Sequence, residues 1–366
     1  MKKKILCILL FSVSFVFISL IKTHSVNAQA YRGLVIDRYK YDLGTVQPGD
    51  IIHESFTLTH DFQQEDKVVT VYLKAADFTS DNTSGEPVFL APDELPYEAS
   101  LSKWITFEKE SITLDHYQQK EVVNFTITIP ENTEAGGKYA AVLLSDKEGE
   151  KFMDYSDSDT QVAINKELGP LVILTVDGEI HKSLTGEGLF TTDIKGKARR
   201  FFFNPPVNIT AILRNDGNVH INPRGVFYIY KGSNFQKFES KFNFNEDGGY
   251  VLPNSTRHFS VTWNDSFITY VPETTEEGEI KIKTRYDWNN LSNLRIGKYK
   301  IKLLYNVEGD DGQTQTKMMD ASFWVFPWQL IVIIILILLY VFWKLKKKQD
   351  EKKPTKKQKK KSDKEK

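Results

Sequence analysis

Val123-Asn124-Phe125-Thr126-Ile127-Thr128-Ile129 alternates apolar and polar residues with period two, putting Val123, Phe125, Ile127 and Ile129 on one face of a strand and Asn124, Thr126 and Thr128 on the other. Val69, Val71, Leu73 and Ala75 follow the same rule, as do Tyr299, Ile301, Leu303, Tyr305 and Val307 against Lys300 and Lys302. Between such runs stand turn residues: Gln47-Pro48-Gly49-Asp50, Pro130-Glu131-Asn132, Asn215-Asp216-Gly217-Asn218, Glu246-Asp247-Gly248-Gly249 and Asp310-Asp311-Gly312. Amphipathic helical periodicity is missing between Tyr31 and Ser322. The pattern predicts a mostly β fold of antiparallel sandwiches, and the length suits two tandem immunoglobulin-like domains.

An internal echo supports two copies of one architecture. Gly136-Gly137-Lys138-Tyr139-Ala140-Ala141-Val142-Leu143-Leu144 resembles Ile296-Gly297-Lys298-Tyr299-Lys300-Ile301-Lys302-Leu303-Leu304. Each copy opens an alternating strand after a loop, where a structural tyrosine corner is expected, with Tyr139 and Tyr299 bonding back to backbone. The division between the two modules is expected near Asp177–Leu184, after the apolar run Leu171–Val176.

The two ends of the chain predict where these modules sit. Phe323–Trp343 carries no formal charge over 21 residues, and a helix of that length would extend about 31 Å, enough to cross a bilayer core. Trp324, Trp328 and Trp343 are its expected membrane-interface anchors. The tail 344–366 holds 13 lysines against four acids, an excess that predicts a cytoplasmic location and contact with anionic lipid. This lysine run has no interleaved aromatics and abuts the apolar segment, so nucleic acid is not expected as a partner. At the other end, Met1-Lys2-Lys3-Lys4, the apolar run Ile5–Ile21 and the small residues Ser25–Ala30 resemble a secretory signal peptide, with cleavage after Ala28 or Ala30. The lone cysteine, Cys7, falls inside that segment, so the exported part has no disulfide, which favours a bacterial surface protein. The expected organisation is a signal peptide at 1–30, sandwiches at 31–180 and 181–322, one C-terminal transmembrane α-helix at 323–343, and a basic cytoplasmic tail at 344–366.

Catalytic signatures are absent from the sequence. There is no HExxH, G-x-S-x-G or phosphate-binding glycine loop, and none of His53, His60, His116, His181, His220 and His258 is spaced as a helical metal pair. Neither metal nor cofactor is expected. The acidic run Asp154–Asp159 lacks the EF-hand ligand order and is read as solvated loop. Aromatic residues offer the better binding hypothesis. Arg199-Arg200-Phe201-Phe202-Phe203 sets three rings in a row, and strand alternation must present either Phe202 or its two neighbours. With Phe235 and Phe238 in the following aromatic-rich hairpin, Arg200 and Phe202 are the candidate contacts for a ligand or partner.

The first module resembles the bacterial WxL-interacting surface proteins, in their N-terminal peptidoglycan-binding domain. The residues that carry the resemblance are Tyr41-Asp42-Leu43-Gly44-Thr45-Val46-Gln47-Pro48-Gly49, Trp104-Ile105-Thr106-Phe107, Ile127-Thr128-Ile129-Pro130-Glu131-Asn132 and Gly137-Lys138-Tyr139-Ala140-Ala141-Val142. The second module departs from that family, notably at Arg214–Gly225. The resemblance implies a cell-envelope protein that engages wall polymer and another surface protein; with no catalytic signature in the sequence, the expected function is non-enzymatic binding of peptidoglycan or of a surface protein partner. An envelope spacer is the alternative, followed by a glycan-acting accessory enzyme or a sensor.

Overall fold

The computed structural model describes residues 33–61, 68–145, 167–193, 195–232, 234–235, 237–274, 280–286 and 293–351. The signal segment, the acidic run Asp154–Asp159 and the tail beyond 351 lie outside the described residues. Two β-sandwiches, built from Arg32–Ser266 and Arg295 onward, belong to one compact unit, and Phe267–Leu294 belongs to another.

In the first sandwich, β1 (Leu34–Ile36), β3 (Ile51–His60), β8 (Lys120–Thr128) and β6 (Ile105–Phe107) form one sheet in the order β1-β3-β8-β6. The facing sheet has the order β2-β10-β9-β4-β5, from β2 (Lys40–Val46), β10 (Glu167–Val176), β9 (Gly136–Ser145), β4 (Val69–Ser80) and β5 (Pro87–Phe89), and β7 (Ser111–Leu114) also pairs with β4. A single helical turn, α1 (Leu101–Trp104), plugs the edge. Trp104 is fully buried there and donates from its indole to the Tyr97 carbonyl at 2.7 Å. The alternation of Val123–Ile129 does what its period requires, since Val123, Phe125, Ile127 and Ile129 all enter the core.

The second sandwich repeats the plan. Its sheets are β11-β13-β16 and β12-β20-β19-β14-β15, from β11 (Leu184–Thr192), β12 (Phe201–Phe202), β13 (Val207–Asn215), β14 (Arg224–Lys231), β15 (Lys237–Phe244), β16 (Ser255–Trp263), β19 (Gly297–Glu308) and β20 (Thr314–Val325). In each sandwich an early strand lies parallel to the last one, β2 with β10 and β12 with β20, and the last pairs antiparallel with its predecessor. Paired sheets of this order are consistent with an immunoglobulin-like sandwich. Between β16 and β19 the chain forms the separate unit, an antiparallel hairpin of β17 (Ile268–Thr274) and β18 (Ile280–Tyr286).

The end of the second sandwich corrects the expected start of the terminal helix. Phe323 and Val325 are buried in the sandwich core, and Trp324 is in β20, paired with Lys298. The helix α2 runs over Trp328–Glu351 and so contains Trp328 and Trp343 but not Trp324. Phe323 faces inward because β20 alternates, while its neighbour Trp324 faces outward. Among the described residues no helix is long and apolar enough to cross a membrane.

The echoed tyrosines have different fates. Tyr299 faces its own core, stacked on Phe323 at 5.6 Å and against Trp263 at 5.0 Å. Tyr139 is not a corner of its own sandwich. It faces outward, and its hydroxyl lies 3.4 Å from His220 Nδ1 in the second sandwich. This contact belongs to a clasp that holds the two sandwiches together. Phe78, Ala141, Leu143 and Ile173 on the outer face of the first sandwich pack with Leu252 and Tyr250 of the second. His220 meets the Tyr250 ring edge-on at 4.6 Å, the Tyr250 hydroxyl donates to Asp42, and Lys40 Nζ lies 4.5 Å from the centre of the same ring. Asn218 accepts from the Gly137 amide at 2.8 Å and exchanges bonds with His181 in the connecting segment. At Gly136, where φ is +120°, a Cβ would stand 2.8 Å from the Asn218 carbonyl, so the close approach requires glycine. The loop after β4 completes the clasp: the Asn82 carbonyl accepts from the Thr256 hydroxyl at 2.6 Å, and the Thr83 carbonyl from the His258 amide at 2.7 Å. Against the upward push of partial burial, the hydroxyls and amides of Ser84 and Thr83 hold the Asp81 carboxyl in this loop well below the usual carboxylate range.

Burial lowers the His220 pKa, Asp42 opposes that shift and Lys40 adds to it. The histidine is therefore neutral in the folded clasp. A folded pKa below the unfolded value of about 6.5 makes the unfolded chain bind more protons as pH falls, so stability is lost on acidification through that value. We expect the unfolding midpoint of the second sandwich to fall as pH drops from 7 to 5.5. His220→Gln should flatten the dependence in that window, and an unchanged slope would mean that other groups carry it.

Candidate functional site

The solvent face of the β1-β3-β8-β6 sheet carries an open groove of ≈ 520 Å³. Residues that alternate with the core supply its walls. His53 and Ser55 on β3 stand opposite Thr126 and Asn124 on β8, and Thr106 on β6 also pairs with Thr126. His53 Nδ1 is 3.0 Å from the Thr126 hydroxyl, and the Asn124 amide donates to Glu108 at 2.6 Å. Glu54, at the rim, is in an ion pair with Arg38 at 3.4 Å. Hydroxyl, amide, imidazole and carboxylate groups thus stand along three adjacent strands, with Phe107 half-buried beside them. Such a surface can exchange hydrogen bonds with a polyhydroxyl or amido chain laid across it, and it lacks the cationic walls that an anionic polymer would need. The sequence showed Asn124 and Thr126 as the polar face of a strand. It could not show that His53, Thr106 and Glu108, distant along the chain, line the same groove.

The aromatic candidates lie on the second sandwich. Phe202 is a core residue, edge-on to Phe323 at 5.8 Å, so it is not a contact for a partner. Its pairing with Val325 in β20 turns it inward, and alternation turns Phe201 outward. Phe203 is also outward, edge-on to Phe201 at 6.3 Å. Arg200 is exposed and its carbonyl accepts from the Trp324 amide at 2.8 Å. Phe235 sits in the turn before β15, at a φ of +52°, half-buried between the Tyr230 ring at 5.2 Å and Lys300 Nζ at 4.1 Å. Phe238 is exposed and meets Tyr230 edge-on at 6.1 Å. The structure therefore brings Phe235 and Phe238 together with Tyr228, Tyr230, Lys300 and Lys302 on the outer face of one sheet, while Arg200 lies at the edge of that sheet beside Phe201 and Trp324.

Among the described residues no three His, Cys, Asp or Glu side chains gather as a metal site. Burial pushes the Tyr299 hydroxyl up to about 12, consistent with its place in the core.

No family model and no curated protein matches the chain. Solved structures similar to it include the CupB2 chaperone of Pseudomonas aeruginosa, at 7% identity over 78% of this chain and 98% of that one, with a TM-score of 0.30. The E. coli chaperone DraB is similar at 11% identity over 79% and 96% of the two chains, with a TM-score of 0.28. A structure of the Salmonella enterica SafA pilin in complex with the SafB chaperone is similar at 8% identity over 80% and 98%, with a TM-score of 0.30. Scores this low carry no assignment of function.

Phe202→Ala should destabilise the second sandwich by about 3–5 kcal/mol, the range for losing a buried phenylalanine. Phe201→Ala should change stability by no more than about 0.5 kcal/mol, as is usual for surface positions. Denaturant unfolding of the full chain in detergent, followed by tryptophan fluorescence, separates the two, and equal losses would contradict the burial described here.

Proposed function

We propose that this chain is a membrane-anchored surface protein, exported to the outside of a bacterial cell, whose first sandwich binds a polymer of the envelope without catalysing a reaction. The observation that carries this reading is the polar groove around His53, Thr106, Glu108, Asn124 and Thr126. Its hydrogen-bonding groups suit the amide and hydroxyl groups of a peptidoglycan chain, the ligand implied by the sequence resemblance of the first module. Glu108 is engaged by Asn124 and Glu54 by Arg38, so each carboxylate already has a partner in the folded protein.

The arrangement of the strands supports the same reading. β13 ends at Asn215 beside the clasp, and β20 ends at Val325, from which the chain passes directly into α2. The second sandwich thus carries the first at one end of its strands and the helix at the other. In α2 no charge occurs from Trp328 to Trp343, 16 residues or about 24 Å of helix. Lysines at 344 and 346–348 follow at once, and Lys347 lies over the Trp343 ring at 5.7 Å. A bilayer core of about 30 Å accommodates a shorter apolar helix by local thinning and by snorkelling of flanking lysines.

The test is sedimentation of the full chain, held in lipid nanodiscs, with protein-free cell walls. Saturable co-sedimentation is expected, and Asn124→Ala should weaken it by about tenfold, the worth of one well-placed hydrogen bond, without lowering the unfolding midpoint. No sedimentation would set aside wall binding in favour of a surface-protein partner or a spacer role.

A further inference from the structure

We propose that the helix-proximal end of the second sandwich is a lipid-binding surface, which beds the domain on the headgroups of an anionic membrane. The proposal rests on the membrane reading of α2 and goes beyond it, because it concerns side chains far from the helix in sequence. Strand directions bring them together. β20 runs toward α2, so the antiparallel β19 begins at that end and β14 finishes there, with the start of β15 beside it. β12 is parallel to β20, which puts residues 203–206 at the same end, where the Phe326 amide donates to the Phe202 carbonyl at 2.8 Å.

Exposed rings collect at this end. Phe201 is 53% exposed, Phe203 55%, Phe238 53%, Trp324 48% and Trp328 51%. Elsewhere on the described surface of this sandwich Met318 is the one other large apolar side chain so exposed. Single exposed rings are ordinary, but a cluster confined to one end of a domain marks a contact surface. Trp324 is four residues from Trp328, at most about 14 Å of extended chain, so the rings lie where the helix would enter a bilayer. Aromatic rings with a polar edge or a wet neighbourhood prefer that interfacial depth.

The charges at this end complement anionic headgroups. Lys195, Lys197 and Arg200 are exposed and make no ion pair among the described residues. The carboxylates nearby already have cationic partners: Asp193 has Arg199 at 2.6 Å, and Glu239 and Asp265 share Arg295, with Lys237 also 3.4 Å from Glu239. Aromatic wedges interleaved with unpaired cations fit a membrane surface better than a protein partner, whose site here would be obstructed by the bilayer next to it.

The full chain, with Cys7→Ser and a fluorescent label at Ala198→Cys, would be reconstituted in phosphatidylcholine bilayers with or without phosphatidylglycerol. Ala198 is exposed on the loop that leads into β12. Lipids with a nitroxide on the headgroup should quench this label strongly, more so when phosphatidylglycerol is present. The same label at Gln313→Cys, at the opposite end of β20, should be unaffected. Phe201→Ser with Phe203→Ser should relieve the quenching at Ala198. A label at Val341→Cys, read with lipids carrying the nitroxide deep in the acyl chain, reports insertion of α2 separately. Deep quenching at Val341 without quenching at Ala198 would overturn the lipid-binding surface and leave the anchor intact. Absence of quenching at Val341 would overturn both.

Discussion

Much of this architecture depends on burying two strands on both faces. β9 and β10 place Ala140, Val142, Leu144, Val172 and Leu174 in the core of the first sandwich and turn Ala141, Leu143 and Ile173 the other way. Those outward residues would be an exposed apolar face on an isolated domain. Leu252 and Tyr250 of the second sandwich cover them, and the polar bonds of Asn218, Asn82 and Thr83 surround the apolar contact. The hydrophobic term thus supplies the attraction, and the directional bonds set the angle at which the two sandwiches meet.

The repeated strand order shows how one plan was put to two uses. β2-β10-β9-β4 in the first sandwich corresponds to β12-β20-β19-β14 in the second. Yet the Gly-Lys-Tyr that opens β9 sends its tyrosine outward into the clasp, and the one that opens β19 sends its tyrosine into the core. Successive side chains in a strand point to opposite faces, so an offset of one residue in where pairing begins exchanges the two fates. Gly136 and Gly297 both have a positive φ at the strand start, but one is directly before Lys298 and the other is two residues before Lys138.

Polarity changes along the second sandwich. Its clasp end uses amides, hydroxyls and a neutral imidazole, all suited to a fixed protein–protein contact. Its helix end presents rings and unpaired cations, suited to a fluid anionic surface. The groove on the first sandwich has neither character and offers uncharged hydrogen-bonding groups. Three chemically distinct surfaces on one chain explain why no single composition figure, with a net charge of zero, described the molecule.

The sequence by itself determined the strand-rich class and the inward residues of each alternating strand, because period-two patterning acts locally and one buried face leaves it no freedom. It also determined the apolar, uncharged character of the terminal segment. It could not choose between Phe202 and its neighbours: either parity satisfies alternation, and only the pairing of β12 with β20 selects one. It could not place Phe323–Val325, since a buried strand and the start of an apolar helix look alike until partner strands are present. Nor could it show the groove, the clasp or the helix-end surface. Each gathers residues tens to hundreds of positions apart, and sheet register, a property of the folded chain, decides which of them share a face.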